Sequence, residues 1–302
     1  MTNVIHQFMI IVKINKSLKW LAIILFCLAS NKMNSQIRIE TIDSLDIYGN
    51  TKKALQLTLE YISVHGYNKS LAYNTACRYA KVGNVDSAFI FLDYAMNLGL
   101  KEIYFLVDDD LNVLRNEDRW KRITKIVEDE FKKKNSSILK PELAIEICKM
   151  GFKDQNGRQK ILRSEQIGEK KSTLDSLWTI QYKQDSISCE YITNLIHHNS
   201  MLFPSISEIG NTASRYAFLM LQHSSYDVRK KHYKTIKMAM ENNHLEKKYF
   251  AMYLDRLLID EGKKQLYGTQ MQKNNEGELT LFPVKRKFNM NRRRSKLGLA
   301  KI

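Results

Sequence analysis

The chain has few of the residues that interrupt helices, with 3 prolines and 12 glycines among 302 residues. This scarcity excludes collagen-like sequences and argues against a turn-rich β architecture. Leucine, isoleucine, lysine and glutamate are frequent instead, a composition that favours long helices. With 44% hydrophobic residues the chain can bury substantial cores. We therefore expect a mainly α protein of two ordinary domains.

Cysteine is also scarce, with only four in the chain: Cys27, Cys77, Cys148 and Cys189. They are widely spaced and include no C-x-x-C pair, and an N-terminal signal would take Cys27 with it. The remaining odd number argues against a disulfide framework and against a zinc site. A phosphate-binding glycine loop, a G-x-S-x-G elbow and a dinucleotide fingerprint are absent too. We predict neither a metal nor a cofactor.

Acidic residues are missing from both ends of the chain, although the net charge is +16 overall. Residues 1–35 carry +4 and residues 279–302 carry +8, which leaves +4 for the 243 residues between them. A basic groove would place the positive charge in the globular body. The distribution therefore disfavours a nucleic-acid partner and predicts a solvated basic tail.

The N-terminus has the layout of a secretory signal. Lys13, Lys16 and Lys19 precede an apolar run at 20–29, and small and polar residues follow it. The run is about half the ~20 residues that a bilayer span needs. We predict a signal peptide or N-terminal anchor at 1–35, no permanent membrane span after cleavage, and an exported protein of the periplasm or envelope.

Two matching stretches lie 34 residues apart. Gly49-Asn50 precedes Ala54 and Gly83-Asn84 precedes Ala88 in the same register. This is the period of a helix-pair repeat. The predicted helices are 37–48, 51–64, 69–82 and 85–98.

Residues 36–134 therefore resemble tetratricopeptide-repeat proteins. The resemblance includes an acidic turn and a helix with Trp120 that would close the stack. It implies a helical domain that binds a protein or peptide partner in its concave groove. Candidate contacts on the inner helix are Asn74, Arg78 and Lys81.

A polar stretch before Pro141 predicts a domain boundary, so the second domain should cover 141–302. Past Gly262 the helical period fades, and 266–271 and 278–283 flank a turn, which predicts a small β-hairpin or an extended segment. The helices predicted for this domain are 141–150, 157–167, 173–198, 211–223, 226–241 and 246–260.

Specific polar residues mark a candidate site in the second domain. Gln222-His223 ends an apolar helix, and Asp255 and Arg256 are adjacent on another helix, where their side chains diverge by about 100°. An ordered polar segment follows, with Gln265, Tyr267, Gly268, Thr269 and Gln270.

These motifs resemble an uncharacterised bacterial family known only as a domain of unknown function, over residues 141–299. The resemblance extends to Asp154-Gln155 with Arg158, and to Asp185. Where that family has a Gly-aromatic-Pro turn, this chain has Leu202-Phe203-Pro204. The resemblance implies a shared fold and a shared polar site, and no mechanism.

Three hypotheses stay open for the polar residues: structural anchoring, binding of a ligand or peptide, and catalysis. In the catalytic hypothesis a small hydrolase-like enzyme uses His223 as general base, Asp255 as its orienting partner, and Arg256 to hold an anionic group. We also expect residues 265–270 to fold back onto the helices, with Arg256 as their main partner. Taken as a whole, the sequence predicts an exported helical-repeat interaction protein with a C-terminal polar site.

Overall fold

The computed structural model describes residues 38–274 and 276–302, so the predicted signal at 1–35 lies outside the described residues. The described chain is mainly helical, with one small antiparallel hairpin, which confirms the predicted fold class. The α-helices are α1 Ile39–Ile47, α2 Thr51–His65, α3 Lys69–Lys81, α4 Val85–Asn97, α5 Asp118–Lys134, α6 Pro141–Gln166, α7 Lys171–His198, α8 Ile206–Gln222, α9 Tyr226–Lys231, α10 Tyr233–Glu241, α11 Lys247–Asp260 and α12 Met290–Lys296.

Short 3-10 helices and the hairpin complete the chain. The 3-10 helices are Ile103–Val107, Asp109–Leu114 and Lys287–Asn289. The strands β1 Met271–Lys273 and β2 Leu279–Leu281 form the hairpin. None of the helices in the described part of the chain is long and apolar enough to cross a membrane.

The chain divides into two compact units. The first contains the described residues up to Leu100 together with Asp109–Trp120, and the second contains Lys101–Asp108 and Lys121–Ile302. Most of α5, which the sequence assigns to the N-terminal domain, thus groups with the C-terminal unit.

The N-terminal unit consists of two helix pairs, in which α1 packs on α2 and α3 packs on α4. The second helices of the pairs begin at Thr51 and Val85, so the 34-residue spacing is present in the structure. Asn68 and Asn84 cap α3 and α4 by accepting hydrogen bonds from backbone N–H groups. The two matched alanines, Ala54 and Ala88, are both fully buried.

Arg78 and Lys81, two of the predicted partner contacts, form ion pairs within this unit. Arg78 is 2% exposed, and its Nη2 lies 2.5 Å from Asp43 Oδ1. Lys81 Nζ lies 3.4 Å from Asp46 Oδ1. Because Arg78 is buried, we correct its assignment to a binding surface. Lys81 is exposed, and its assignment stays a prediction. Asn74 is exposed.

In the C-terminal unit α6 is continuous where the sequence predicts two helices. The break is predicted at its glycines, but these glycines serve close packing. A Cβ on Gly151 would lie 2.0 Å from the Tyr216 ring, and one on Gly157 would lie 2.1 Å from Gln181 Oε1. Glycine at these positions lets α8 and α7 approach the backbone of α6.

The helix α8 begins with a capping box, in which Ser205 and Glu208 exchange side-chain and backbone hydrogen bonds. Gly210, at φ 76°, interrupts it, so the regular helix starts at residue 211 as predicted. This segment ends at Gln222 and carries His223 to the edge of the domain.

Candidate functional site

A polar cleft of about 840 Å³ opens on the C-terminal unit. The helices α6, α7 and α11 and the turn after α8 supply its walls. Charged, aromatic and nucleophilic side chains line it, among them Arg158, Trp178, Asp185, Cys189, His223 and Arg256.

Asp154 lies next to the cleft and is the centre of a dense polar network. It is 4% exposed. Its Oδ1 accepts hydrogen bonds from Arg158 Nε at 3.1 Å and Gln181 Nε2 at 2.9 Å. Its Oδ2 accepts one from Gln155 Nε2 at 2.7 Å and lies 3.3 Å from His223 Nδ1. A buried carboxylate is thus surrounded by donors, one of them titratable.

The neighbours of Asp154 decide its charge. Burial raises the pKa of a carboxyl group, but His223 and Arg158 outweigh burial and lower the pKa of Asp154 to about 2. Asp185 differs, because burial raises its pKa in spite of its hydrogen bonds from Gln181 and Arg158. Asp154 is therefore a fixed negative charge beside the imidazole.

A second arginine fixes the turn that carries His223. Arg229 is 4% exposed, and its guanidinium donates to the carbonyl oxygens of Gln222 and Ser224 on either side of the histidine. Its Nη2 also lies 2.5 Å from Asp260 Oδ2. The backbone at His223 is therefore attached to the C-terminal end of α11.

Asp154, Asp185 and His223 are also the group most suited to hold a metal ion, since their ligand atoms lie within 4.8 Å of one another. Both carboxylates, however, already accept hydrogen bonds from the Arg158 guanidinium and from Gln181. A metal cation would have to displace the arginine that both acids share. These residues fit an ion-pair network better than a metal centre.

Asp255 has a different role from the one the catalytic hypothesis gives it. It is fully buried, and its carboxylate accepts hydrogen bonds from the backbone N–H groups of Leu266, Tyr267 and Thr269 at 2.7–3.1 Å. The Thr269 hydroxyl donates to it as well, at 3.0 Å. Asp255 thus fixes the turn of the polar segment and is not the partner of His223.

Gln265 closes the same segment from its other side. Its side chain donates to the carbonyl oxygens of Gln270 and Phe282 and accepts from the Gln270 N–H at 3.0 Å. Gly268 has φ 65°, and a Cβ there would lie 2.7 Å from Met290 Sδ, so both the backbone conformation and the close contact favour glycine.

The C-terminal arginines hold this segment as well. Arg293 Nε donates to Leu266 O at 2.8 Å, and Arg294 Nη1 donates to Tyr267 O at 2.6 Å. Part of the basic tail is therefore structural and not simply solvated. Residues 265–270 fold back as expected, but the arginines that bind them are not Arg256.

The predicted polar residues thus separate into two groups. Asp255 and the 265–270 segment form a structural anchor, whereas His223 and Arg256 line the cleft. Gln222, the last residue of α8, is buried, and its Nε2 donates to Met252 O at 3.4 Å.

The sequence motifs alone do not place Asp154 and Arg158 beside His223. Their i, i+4 spacing on one helix is the signal that could have joined them. No comparable spacing in the sequence connects Arg229 to the turn of His223.

Comparison with known proteins identifies the C-terminal half only. Neither a curated protein nor a solved structure matches the chain. No tetratricopeptide family model matches either, so the N-terminal resemblance stays a prediction. Residues 141–302, more than half of the chain, match the model described as a family of unknown function, DUF6624. The cleft and the structural anchor both lie within the match, and the chain belongs to this family.

Proposed function

We propose that the C-terminal domain binds a small organic anion in the cleft. The observation that carries the proposal is the state of Arg256. Among the described residues no carboxylate forms an ion pair with it, and its neighbour Asp260 is already paired with Arg229. Partial desolvation at the cleft and the positive charges of Arg229 and Arg158 lower the pKa of Arg256, although its side chain stays exposed to solvent. A guanidinium in this environment is stabilised by an anion that the protein does not supply.

The aromatic residues that line the cleft indicate what the anion carries. Trp178 and Tyr182 stack on each other with ring centroids 5.5 Å apart and an interplanar angle of 26°. Both rings line the cleft. A flat aromatic surface near an unpaired arginine fits a ligand that joins a planar or apolar group to a negative charge.

Thermal unfolding with simple probes tests this function. Benzoate and diphenyl phosphate combine a ring with one negative charge, and benzamide is the uncharged control. An anion that binds the folded domain should raise the Tm by about 5–10 °C at about 100 times its Kd. Benzamide should not.

Matched variants locate the binding. Arg256→Gln should abolish the Tm shift, whereas Arg163→Gln should preserve it, because Arg163 is exposed on α6 and does not line the cleft. Equal shifts in both variants, or none in the wild type with any anionic probe, would refute the proposal.

A second function is favoured by the N-terminal unit, which we propose binds another protein through an apolar face of α4. Ile90, Tyr94 and Leu98, four residues apart, are 39–50% exposed. Tyr67 extends this face by stacking on Tyr94 with ring centroids 5.1 Å apart. Exposed apolar side chains in a row are typical of interaction surfaces.

We also propose that the protein is exported, on the basis of the N-terminal charge and apolar pattern. Pull-down from the native envelope fraction tests both ideas. Ile90→Asp should lose a partner that Asn74→Asp retains, and fractionation should place the mature protein outside the cytoplasm. Recovery of the same proteins by both variants would exclude the α4 face.

A further inference from the structure

We propose that His223, oriented by Asp154, acts as a general base that activates water against an ester held in the cleft. The proposal rests on anion binding by Arg256 and adds a reaction to it. The substrate class is an ester with one negative charge, and the bond cleaved lies next to His223. Asp154 is then a positioning residue, and His223 the catalytic one.

The geometry of the imidazole determines which nitrogen can act. His223 Nδ1 is buried, makes no hydrogen bond to the described residues and lies 3.3 Å from Asp154 Oδ2, while the side chain as a whole keeps 18% exposure and lines the cleft. An ionised carboxylate at that distance favours the neutral tautomer that carries its proton on Nδ1. The lone pair on Nε2 is then available on the opposite edge of the ring. A contact of 3.3 Å is typical of such pairs without ligand, since they tighten when substrate binds.

The reaction balances without a cofactor. Nε2 takes a proton from water as the water oxygen bonds to the acyl carbon or the phosphorus of the ester. The bond to the leaving oxygen then breaks, and the imidazolium returns its proton to that oxygen. The products are an acid and an alcohol, and His223 is regenerated.

The other nucleophiles in the cleft are less suited to attack. Burial, Asp185 and Glu190 raise the pKa of Cys189, so its thiolate is disfavoured. The Ser224 hydroxyl donates to Leu221 O at 2.6 Å and is buried. The hydroxyls of Ser186 and Thr193, which also line the cleft, donate to backbone carbonyl oxygens. We assign water as the nucleophile of the reaction.

The charges around the cleft limit the substrate to a monoanion. Arg158 forms ion pairs with Asp154 and Asp185, which leaves Arg256 as the arginine of the cleft lining that has no acidic partner among the described residues. Glu190 also lines the cleft. A dianionic phosphate would meet more negative charge than a phosphodiester or a carboxylate would.

Two chromogenic monoanions test the reaction on the full chain: bis(p-nitrophenyl) phosphate and the mono-p-nitrophenyl ester of glutaric acid. They distinguish a phosphoryl centre from an acyl centre, and release of p-nitrophenolate gives the rate. His223→Gln should lower kcat about 10²- to 10⁴-fold with at least one probe, with little change in KM. His198→Gln is the control, because His198 is exposed on α7 outside the cleft and should keep the full rate.

Two further variants separate positioning from binding. Asp154→Asn should lower kcat and leave KM unchanged, whereas Arg256→Gln should raise KM. The wild-type rate should increase with pH along a limb that His223→Gln lacks. Groups that face His223 and could also shape this profile are Asp154, Arg158, Asp185, Cys189 and Arg256, so the limb must be lost in His223→Gln and retained in His198→Gln.

The outcomes keep the two proposals distinct. If the probes raise the Tm but the wild type releases no more p-nitrophenolate than His223→Gln, catalysis is refuted and anion binding stands. If neither probe raises the Tm and neither is hydrolysed, anion binding itself is refuted. Hydrolysis that persists in His223→Gln would assign the base to another residue.

Discussion

Asp154 and Asp255 are both buried aspartates of the same domain, 4% and 0% exposed, yet their surroundings differ. Backbone N–H groups of one turn surround Asp255, and these groups cannot titrate. Side chains that carry or can accept charge surround Asp154: Arg158 and His223. The first arrangement fixes a loop, and the second holds an imidazole at the edge of an open cleft. The identity of the donors, more than burial, separates a structural carboxylate from one that can take part in chemistry.

The largest effect is expected where backbone groups lose their acceptor. Asp255→Ala leaves the N–H groups of Leu266, Tyr267 and Thr269 without it, and each unpaired buried group costs about 1–3 kcal/mol. The free energy of unfolding, measured by urea denaturation, should fall by roughly 3 kcal/mol or more. Asp175→Ala removes an exposed aspartate of α7 and is the control. Indistinguishable midpoints for the two variants would contradict the structural role of Asp255.

The next largest loss in the free energy of unfolding is expected for a tail arginine. Arg294 is 8% exposed and donates to Tyr267 O and Ala300 O, both at 2.6 Å. Arg294→Ala should therefore lower the free energy of unfolding by about 1–3 kcal/mol. Lys296→Ala and Arg256→Ala, both at exposed positions, should change it little. A larger loss in Arg256→Ala than in Arg294→Ala would restore Arg256 as the anchor of the segment.

Acid should test the ionised state of Asp154. The pKa of Asp154 is lowered from 3.8 to about 2 in the folded protein. Its contribution is present above the unfolded pKa and is lost as the pH falls toward 2, with a size of about 2 kcal/mol. Urea unfolding at pH 5 and pH 2 should show this loss in the wild type. In Asp154→Asn the fall should be smaller, and an equal fall would show that other groups cause it.

A glycine pair gives the smallest and most local test. Gly268 and Gly277 both have positive φ, at 65° and 82°, but only at Gly268 would a Cβ meet a neighbour, Met290 Sδ. Gly268→Ala should cost about 1 kcal/mol more than Gly277→Ala, because overpacking adds to the backbone strain. The double variant Gly268→Ala, Met290→Ala should recover part of the difference. Equal costs in thermal unfolding would mean that the tail does not press on the loop.

Much of the helical framework could be predicted from the sequence, because local signals define it. The helices from Thr51 to Asn97 follow from glycine spacing and asparagine caps, and their bounds agree within a residue. The continuous α6 could not be predicted in the same way. Its glycines look like helix ends in the sequence, and only the approach of Tyr216 and Gln181 explains them.

The sequence points to two residues that line the cleft, His223 and Arg256, but not to their contacts. His223 and Arg256 were identified, yet the partner of the histidine comes from α6 and not from α11. Adjacent residues on a helix diverge, so Asp255 and Arg256 had to face different surroundings. Which of them faced the cleft depends on long-range packing that no local pattern contains.

The helix α11 connects the C-terminal tail to the cleft. Asp255 holds the 265–270 loop, Arg256 lines the cleft, and Asp260 holds the arginine that fixes the turn of His223. Because one helix contacts both regions, we expect the C-terminal tail and the cleft to unfold together. Ligand should slow amide hydrogen exchange in the tail, which does not line the cleft. Conversely, a protease that trims the tail should abolish ligand binding while leaving every cleft residue in the chain.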